Sequence, residues 1–190
     1  MIKGTQRDKL LTQVRAQMNE KRYVHTLGVA ETARSLAEKY GADPDKAELA
    51  GYVHDYCKCW PVTRLHEFLL RYDIAQDIVD GEKELWHAFV GAIVVQTELG
   101  ITDTDILQAV RYHTTGRAGM SLLEKVVCVA DYIEPNRDYP GVEEVRKLAE
   151  TSLDQALAQG LGSTMRFLLE QKKSIHPLTL LAYNDVISKR

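Results

Sequence analysis

The stretch Ala47–Lys58, AELAGYVHDYCK, constrains the fold of this chain more than any other. It is typical of an apolar helix whose last turn carries an imidazole and a carboxylate side by side, on His54 and Asp55. The apolar residues on both sides predict that the pair is buried. A buried charge without a partner is costly, and a divalent metal ion is a common partner for histidine together with aspartate. The rest of the chain is therefore expected to supply the other ligands of a metal site.

The hydrophobic pattern predicts an all-α chain. Apolar residues recur at the helical spacing of three and four, and glycine, proline and capping residues separate the periodic segments. The predicted helices cover residues 5–19, 23–40, 44–58, 62–72, 74–79, 84–99, 105–113, 122–133, 142–150, 153–171 and 178–187.

The helix ends also have expected signals. Glu20–Arg22 are expected to break the chain between the first two helices. Thr102 with Asp105, and Ser121 with Glu124, have the spacing of capping boxes. A single domain is expected over 1–190, with a core over about 20–135 and C-terminal helices over 142–188 packed on it.

The composition excludes several classes of function. A net charge of −3 gives no support to nucleic-acid or membrane binding. No apolar run approaches the ~18 residues of a membrane span, and the N-terminal segment lacks the apolar core of a signal peptide. Three cysteines argue against a disulfide framework and fit a reducing compartment. We expect a cytoplasmic protein with no nucleic-acid and no membrane partner.

Four histidines and two aspartates stand out by their settings. The histidines lie near predicted helix ends, and the aspartates lie within apolar helical stretches. Such a set suits Fe, Mn, Co or Zn better than Ca or Mg. The predicted metal ligands are His25, His54, Asp55, His87, His113 and Asp131. The other two histidines, His66 and His176, are expected to be structural.

Six ligands exceed the needs of one tetrahedral ion. They fit two divalent metals at a separation of ~3.5–4 Å, bridged by a carboxylate and a water. Asp55 is the expected bridge because it adjoins His54 at the centre of the set. Such a buried dinuclear centre would activate water and neutralise phosphate oxygens. The expected reaction is hydrolysis of a phosphoester or phosphoanhydride by a metal-bound hydroxide, with Asp55, Lys58 and His87 as catalytic residues.

Basic residues near these ligands predict an anionic substrate. Arg22 lies shortly before the first predicted ligand, Lys58 shortly after the His-Asp pair, and Arg117 and Arg137 in loops that follow predicted ligands. Arginine suits bidentate contacts with phosphate, and lysine acts as a single charge. The predicted substrate-binding residues are Arg22, Lys58, His87, His113, Thr114, Arg117 and Arg137.

The motifs in combination resemble a known family. The HD pair, with a preceding histidine and a distant aspartate, is similar to the HD-domain metal-dependent phosphohydrolases. The fuller set resembles the YqeK family within them, on the motifs RYVHTLGVA, HDYCK, LWHAFVGA, RYHTTGRAGM, LLEKVVCVADYIEPNR and YPGVEEVRKLA. These motifs spread over roughly residues 21–149.

The resemblance implies an HD-domain helical bundle that holds a di-iron centre. It implies symmetrical cleavage of diadenosine tetraphosphate to two molecules of ADP. All six predicted ligands match metal positions of the family, and Arg22, Lys58 and Arg137 match positions that contact nucleotide phosphate. The expected ligands are a dinucleoside polyphosphate and its product, ADP or GDP. A homodimer is left open.

Two alternatives also stay open. A one-metal HD nucleotidase, acting on nucleoside mono- or triphosphates, would leave His87 and His113 to bind phosphate. A nucleotide-sensing protein would keep the pocket without turnover. The number of bound metals separates the first alternative from the dinuclear enzyme, and turnover on a panel of nucleotides separates the second.

Overall fold

All regular elements in the described part of the chain are helical, which confirms the all-α prediction. The computed structural model describes residues 4–72 and 74–189. The predicted first helix lies within that part, whereas the first three residues of the chain lie outside it. The helices are α1 Gly4–Arg15, α2 Glu20–Tyr40, α3 Pro44–Val53, α4 Val62–Arg71, α5 Gln76–Val79, α6 Trp86–Leu99, α7 Thr104–Tyr112, α8 Leu122–Ile133, α9 Val142–Ala149, α10 Leu153–Glu170 and α11 Pro177–Ser188, with a 3-10 turn at Lys83–Leu85 before α6.

Two predicted helix starts were wrong, because a nearer side chain caps each helix. The side chain of Asn19 accepts a hydrogen bond from the backbone N–H of Arg22, so that Glu20–Arg22 form the first turn of α2 instead of a break. Asp103, not Thr102, caps α7. The capping box at the start of α8, made by Ser121 and Glu124, is confirmed.

The helix of the His-Asp pair ends earlier than predicted. α3 stops at Val53, and residues 54–59 form tight turns. His54 Nδ1 lies 2.7 Å from the carbonyl oxygen of Gly51. If the helix continued, this oxygen would accept a hydrogen bond from the backbone N–H four residues later, so the ring competes with the helix for it. As a result the pair sits in a turn at the end of α3.

The helices that carry the predicted ligands pack against one another. α2 packs on α3 and α8, and α7 packs on α6 and α8. α2 and α3 approach very closely, since a Cβ atom added at Gly51 would lie 2.5 Å from the Cα of Ala30. Helix α10 packs against α8, α9 and α11. This arrangement points five chain segments toward one interior position.

None of the helices in residues 4–72 and 74–189 combines the length and the apolar character that crossing a membrane requires.

Candidate metal centre

All six predicted metal ligands meet at this interior position. They come from α2, from the turn after α3, from the start of α6, from the end of α7 and from the last turn of α8. Nitrogen and carboxylate oxygen atoms within each of three subsets lie within 4.8 Å of one another. The subsets are His25, His54 and Asp55; His54, His113 and Asp131; and Asp55, His87 and His113.

Asp55 lies between the histidines. Its Oδ2 atom is 3.7 Å from His25 Nε2 and 3.3 Å from His54 Nε2. Its Oδ1 atom is 3.1 Å from His87 Nε2 and 3.6 Å from His113 Nε2. One carboxylate, 3% exposed, therefore places one oxygen beside each of two pairs of histidines.

Asp131 lies beside the first of these pairs. Its Oδ1 atom is 3.0 Å from His25 Nε2 and 3.8 Å from His54 Nε2. We define the first half-site by His25, His54, Asp131 and Asp55 Oδ2. The second half-site consists of His87, His113 and Asp55 Oδ1. Asp55 is the residue that the two half-sites share.

Hydrogen bonds at Nδ1 orient all four imidazole rings. Backbone carbonyl oxygens lie 2.7 Å from His54 Nδ1, 2.6 Å from His87 Nδ1 and 2.7 Å from His113 Nδ1. In His25 the partner is a carboxylate oxygen, at 3.0 Å. Since these oxygens only accept, each Nδ1 donates and each Nε2 faces the centre, where a neutral ring offers its lone pair to a metal.

The ring nitrogens of the first half-site fit a cation. His25 Nε2 and His54 Nε2 are buried and make no hydrogen bond within the described part of the chain, although each faces carboxylate oxygens. A buried polar atom without a hydrogen bond is uncommon in a folded protein. Oriented imidazoles beside carboxylates are the donors that borderline divalent metals prefer. The cluster is therefore suited to hold a divalent metal.

The protonation states in this cluster also favour a metal. Burial raises the pKa of Asp55, but the histidines around it outweigh burial and hold that pKa well below its ordinary value. Burial also raises the pKa of Asp131, and Arg137 with a neighbouring histidine reverses the effect. Burial lowers the pKa of His87 to about 4. Near neutral pH both carboxylates are thus ionised and His87 is neutral, which are the forms that bind metals.

Glu134 supports this centre and was missed by the sequence-based prediction. Its carboxylate, 1% exposed, accepts the hydrogen bond from His25 Nδ1. It is itself held by the backbone N–H and the side-chain amide of Asn136, at 2.7 and 3.0 Å. A Cβ atom added at Gly28 would lie 2.5 Å from Glu134 Oε2, so this glycine leaves the room that the carboxylate occupies. The available signal was an acidic residue three positions after Asp131, directly after the last residue of α8.

Replacing Glu134 with alanine is expected to weaken metal binding by about 10- to 100-fold, the usual loss when the partner of a ligating histidine is removed. Without the carboxylate, the ring of His25 loses the contact that fixes its tautomer. The measurement is a titration of metal-stripped protein with Mn²⁺ or Zn²⁺ against a chelating indicator.

Two variants control this titration. Glu134→Gln keeps an oxygen that accepts from His25 Nδ1 and should lose less affinity than the alanine variant. Glu170→Ala removes an exposed carboxylate at the end of α10 and should bind metal like the wild type. Equal affinity of Glu134→Ala and the wild type would contradict the assigned role.

Three of the four predicted basic residues lie at the centre. Arg22 Nη1 is 2.8 Å from Asp55 Oδ2. Arg137 makes an ion pair with the Asp131 carboxylate and also donates to its backbone carbonyl, at 2.7 Å. Lys58 is half-buried, and its Nζ lies 3.5 Å from His87 Nδ1. These cations surround both half-sites.

Thr114 and Arg117 follow His113 in the chain and were both predicted to bind substrate, but only Thr114 reaches the centre. The hydroxyl of Thr114 lies 3.1 Å from His113 Nε2. The structure does not bring Arg117 to the cluster. Its guanidinium makes a bidentate ion pair, at 2.6 and 2.8 Å, with the buried Glu124 on the first turn of α8. This pairing favours a structural role for Arg117.

The remaining histidines lie outside the cluster. His66 stacks against Trp86, with ring centroids 5.6 Å apart. His176 caps α11, since its Nδ1 accepts a hydrogen bond from the backbone N–H of Leu178 at 3.2 Å. Both contacts fit the structural roles that the sequence predicted for these two residues.

Comparison with known proteins identifies the family. The HD domain family matches residues 22–136, which include all six predicted ligands. A protein of Bacillus subtilis named bis(5'-nucleosyl)-tetraphosphatase, symmetrical, is 52% identical over 96% of this chain and 98% of its own length. A protein of the same name from Halalkalibacterium halodurans is 49% identical over 95% of this chain and 97% of its own length.

A solved structure has the same fold. A crystal structure from Clostridium acetobutylicum, described as a predicted HD superfamily hydrolase involved in NAD metabolism, superposes with a TM-score of 0.92. It is 38% identical and covers 97% of this chain and 98% of its own length. With a family match over more than half of the chain and two relatives near half identity, this chain belongs to the HD domain family and, within it, to the symmetrical bis(5'-nucleosyl)-tetraphosphatases.

Proposed function

We propose that this chain is a metal-dependent phosphohydrolase that cleaves dinucleoside polyphosphates symmetrically, converting diadenosine tetraphosphate to two molecules of ADP. The observation that carries this proposal is the position of Asp55, whose two carboxylate oxygens face the two half-sites separately. The printed name of the two close relatives supports the same substrate class.

The cofactor in this proposal is a pair of divalent cations. The first half-site offers four donors and the second offers three, with Asp55 counted in both. Iron is the proposed metal, and Mn, Co and Zn suit the same imidazole and carboxylate donors. When bound, the cations would lower the pKa of a water molecule to give a nucleophile near neutral pH and would neutralise phosphate oxygens.

The protein supplies the rest of the reaction. Arg22 and Arg137 line a basic cavity beside the first half-site and would bind oxygens of the flanking phosphates. Lys58, His87 and Thr114 would contact the phosphates at the second half-site. Oxygen from water bonds to one of the two central phosphorus atoms, the central P–O–P bridge breaks, and each product keeps two phosphates. Preorganised positive charge would stabilise the transition state in this buried site.

The proposed setting of this enzyme is the cytoplasm. The supporting features are the free cysteines and the lack of a helix suited to a membrane in the described residues. The proposed domain plan is a single HD domain, with a core over about 20–135 and α9 to α11 packed on it. A homodimer is a proposal that a sedimentation measurement would test.

The test is a panel of nucleotides with identification of the products. Protein prepared without oxygen and loaded with ferrous iron is expected to convert diadenosine tetraphosphate to ADP alone. Formation of ATP and AMP would contradict symmetrical cleavage. Release of inorganic phosphate from nucleoside mono- or triphosphates, with one metal per chain, would favour the one-metal nucleotidase. Binding of nucleotides without any product would favour the sensor.

Replacing Lys58 with alanine is expected to raise KM or lower kcat for diadenosine tetraphosphate, together about 10- to 100-fold in kcat/KM. The reason is the loss of a charge-assisted phosphate contact, at about 1.5–3 kcal/mol. Metal content should stay unchanged, since Lys58 is not a predicted metal ligand. The measurement combines steady-state kinetics with metal analysis. Loss of metal instead would show that Lys58 holds the centre together.

Lys189→Ala is the matched control for Lys58→Ala. Lys189 pairs with Asp185 at the surface, 2.7 Å away, and neither residue is among the predicted site residues. Its removal should leave both kcat/KM and metal content near the wild-type values.

A further inference from the structure

Two cavities open beside the centre, and Lys58 borders both of them. The larger, of about 600 Å³, is also bordered by His87 of the second half-site. The smaller, of about 360 Å³, is also bordered by His25 of the first half-site. Both volumes fall in the range of about 300–1,000 Å³ that is usual for small-molecule sites. Each half-site thus has its own cavity.

This arrangement suits a ligand with two similar ends. The two half-sites lie on opposite oxygens of Asp55. A polyphosphate chain that spans Asp55 would therefore send one end toward the cavity at His25 and the other toward the cavity at His87.

The charges of the two cavities differ in sign. Lys21, Arg22 and Arg137 line the smaller one, which we call the basic cavity. The larger one, which we call the acidic cavity, is lined by three carboxylates, on Asp80, Glu82 and Glu84, with Lys58 and Lys83. Carboxylates repel phosphate and accept hydrogen bonds from hydroxyl and amino groups.

The acidic cavity has the features of a nucleoside site. Its wall includes the side chains of Val62 and Leu65, which offer apolar surface to a base. The hydroxyl of Ser174 donates to Glu82 at 3.2 Å, which orients that carboxylate at the rim and leaves its other lone pairs free to accept. The 2'- and 3'-hydroxyls of ribose are donors that match such a rim.

We propose that the acidic cavity binds the second nucleoside of the substrate, with its ribose hydroxyls on Asp80 and Glu82, while the first nucleoside diphosphate half occupies the basic cavity. This proposal rests on the proposed function, because it assigns a place to each half of a dinucleotide. It also explains why cleavage would fall at the middle of the phosphate chain, since both ends are held by their nucleosides.

The first test counts bound product. Wild-type protein loaded with Mn²⁺ is expected to bind two molecules of ADP per chain in a calorimetric titration. Val62→Trp places a large side chain at the mouth of the acidic cavity, where Val62 is 47% exposed, and should bind one. Leu70→Trp, on the same helix at a position 65% exposed and outside the lining, should still bind two. One ADP in the wild type, or two in Val62→Trp, would overturn the proposal.

The second test needs no added bulk. The double variant Asp80→Ala with Glu82→Ala removes both carboxylate acceptors from the lining of the cavity. In the wild type, an analogue of diadenosine tetraphosphate that carries 2',3'-dideoxyribose at both ends should have a KM about tenfold above that of the normal substrate. In the double variant the KM of the normal substrate should rise most of the way to that of the analogue. The ratio of the two KM values should therefore fall from about ten toward one. An unchanged ratio would overturn the proposal.

These outcomes distinguish a failure of the acidic-cavity site from a failure of the proposed function. Symmetrical hydrolysis by the wild type with two ADP molecules bound to Val62→Trp would remove the acidic-cavity site and leave the proposed function intact. Absence of hydrolysis with the expected change in ADP count would remove the proposed reaction and leave the nucleoside site.

Discussion

Replacing Asp55 with alanine is expected to reduce hydrolysis of diadenosine tetraphosphate by at least about a thousandfold, a loss of about 4 kcal/mol or more in transition-state stabilisation. Asp55 is the residue that both half-sites share, so its removal takes an oxygen donor from each. Metal content should fall together with activity. The measurements are kcat/KM and metal per chain, by elemental analysis, on the same anaerobic sample.

The controls for Asp55→Ala separate the site from the fold. Asp8→Ala removes an exposed carboxylate of α1 and should keep full activity and metal. Asp55→Asn keeps the size of the side chain but loses its negative charge, and should also be inactive. Far-ultraviolet circular dichroism should show the same helix content in all three variants. An active Asp55→Ala variant with its full metal content would end the proposal that this carboxylate bridges the half-sites.

Removing the metal is expected to abolish hydrolysis and to lower the melting temperature by about 10 °C. A ligand present at 1,000 times its dissociation constant stabilises the native state by about 4 kcal/mol, and a chain of this size changes its melting temperature by about 2–4 °C per kcal/mol. The apo protein also keeps two ionised carboxylates in a buried cluster. The measurement is thermal unfolding of chelator-treated protein before and after addition of ferrous iron without oxygen.

Other cations provide the control for this experiment. Mn²⁺ and Co²⁺ should restore stability and activity to a useful degree, whereas Ca²⁺ and Mg²⁺ should restore much less, because imidazole nitrogen is a poor ligand for them. A melting temperature that does not respond to any cation would contradict a metal centre. Saturation at two ions per chain would support the pair, and saturation at one would support the one-metal nucleotidase.

The residues that meet in the cluster could be predicted from the sequence because their chemistry is local. The pair His54-Asp55 is unusual within an apolar stretch, and Asp131 is unusual within an apolar helix. Such residues need partners wherever the chain takes them. The fold class could also be predicted from the sequence, because the spacing of apolar residues in α2, α6 and α8 is helical throughout.

The contacts that depend on three dimensions could not be predicted in the same way. Arg117 follows His113 in sequence, but its guanidinium makes a bidentate ion pair with Glu124. The spacing of these residues in the sequence does not predict that pair. Glu134 reaches His25 across 109 positions of the chain. The end of α3 was predicted too late because the ring of His54 competes with the backbone for one carbonyl oxygen.

Gly51 sets the limits within which this centre could change. Its missing side chain lets α3 touch the backbone of α2 at Ala30, and its carbonyl oxygen orients the ring of His54. The distance between His54 and His25 is thereby tied to the separation of two helix axes. A change of side chain at Gly51 would therefore push α2 and α3 apart and alter the space between these two histidine rings, without changing any predicted metal ligand.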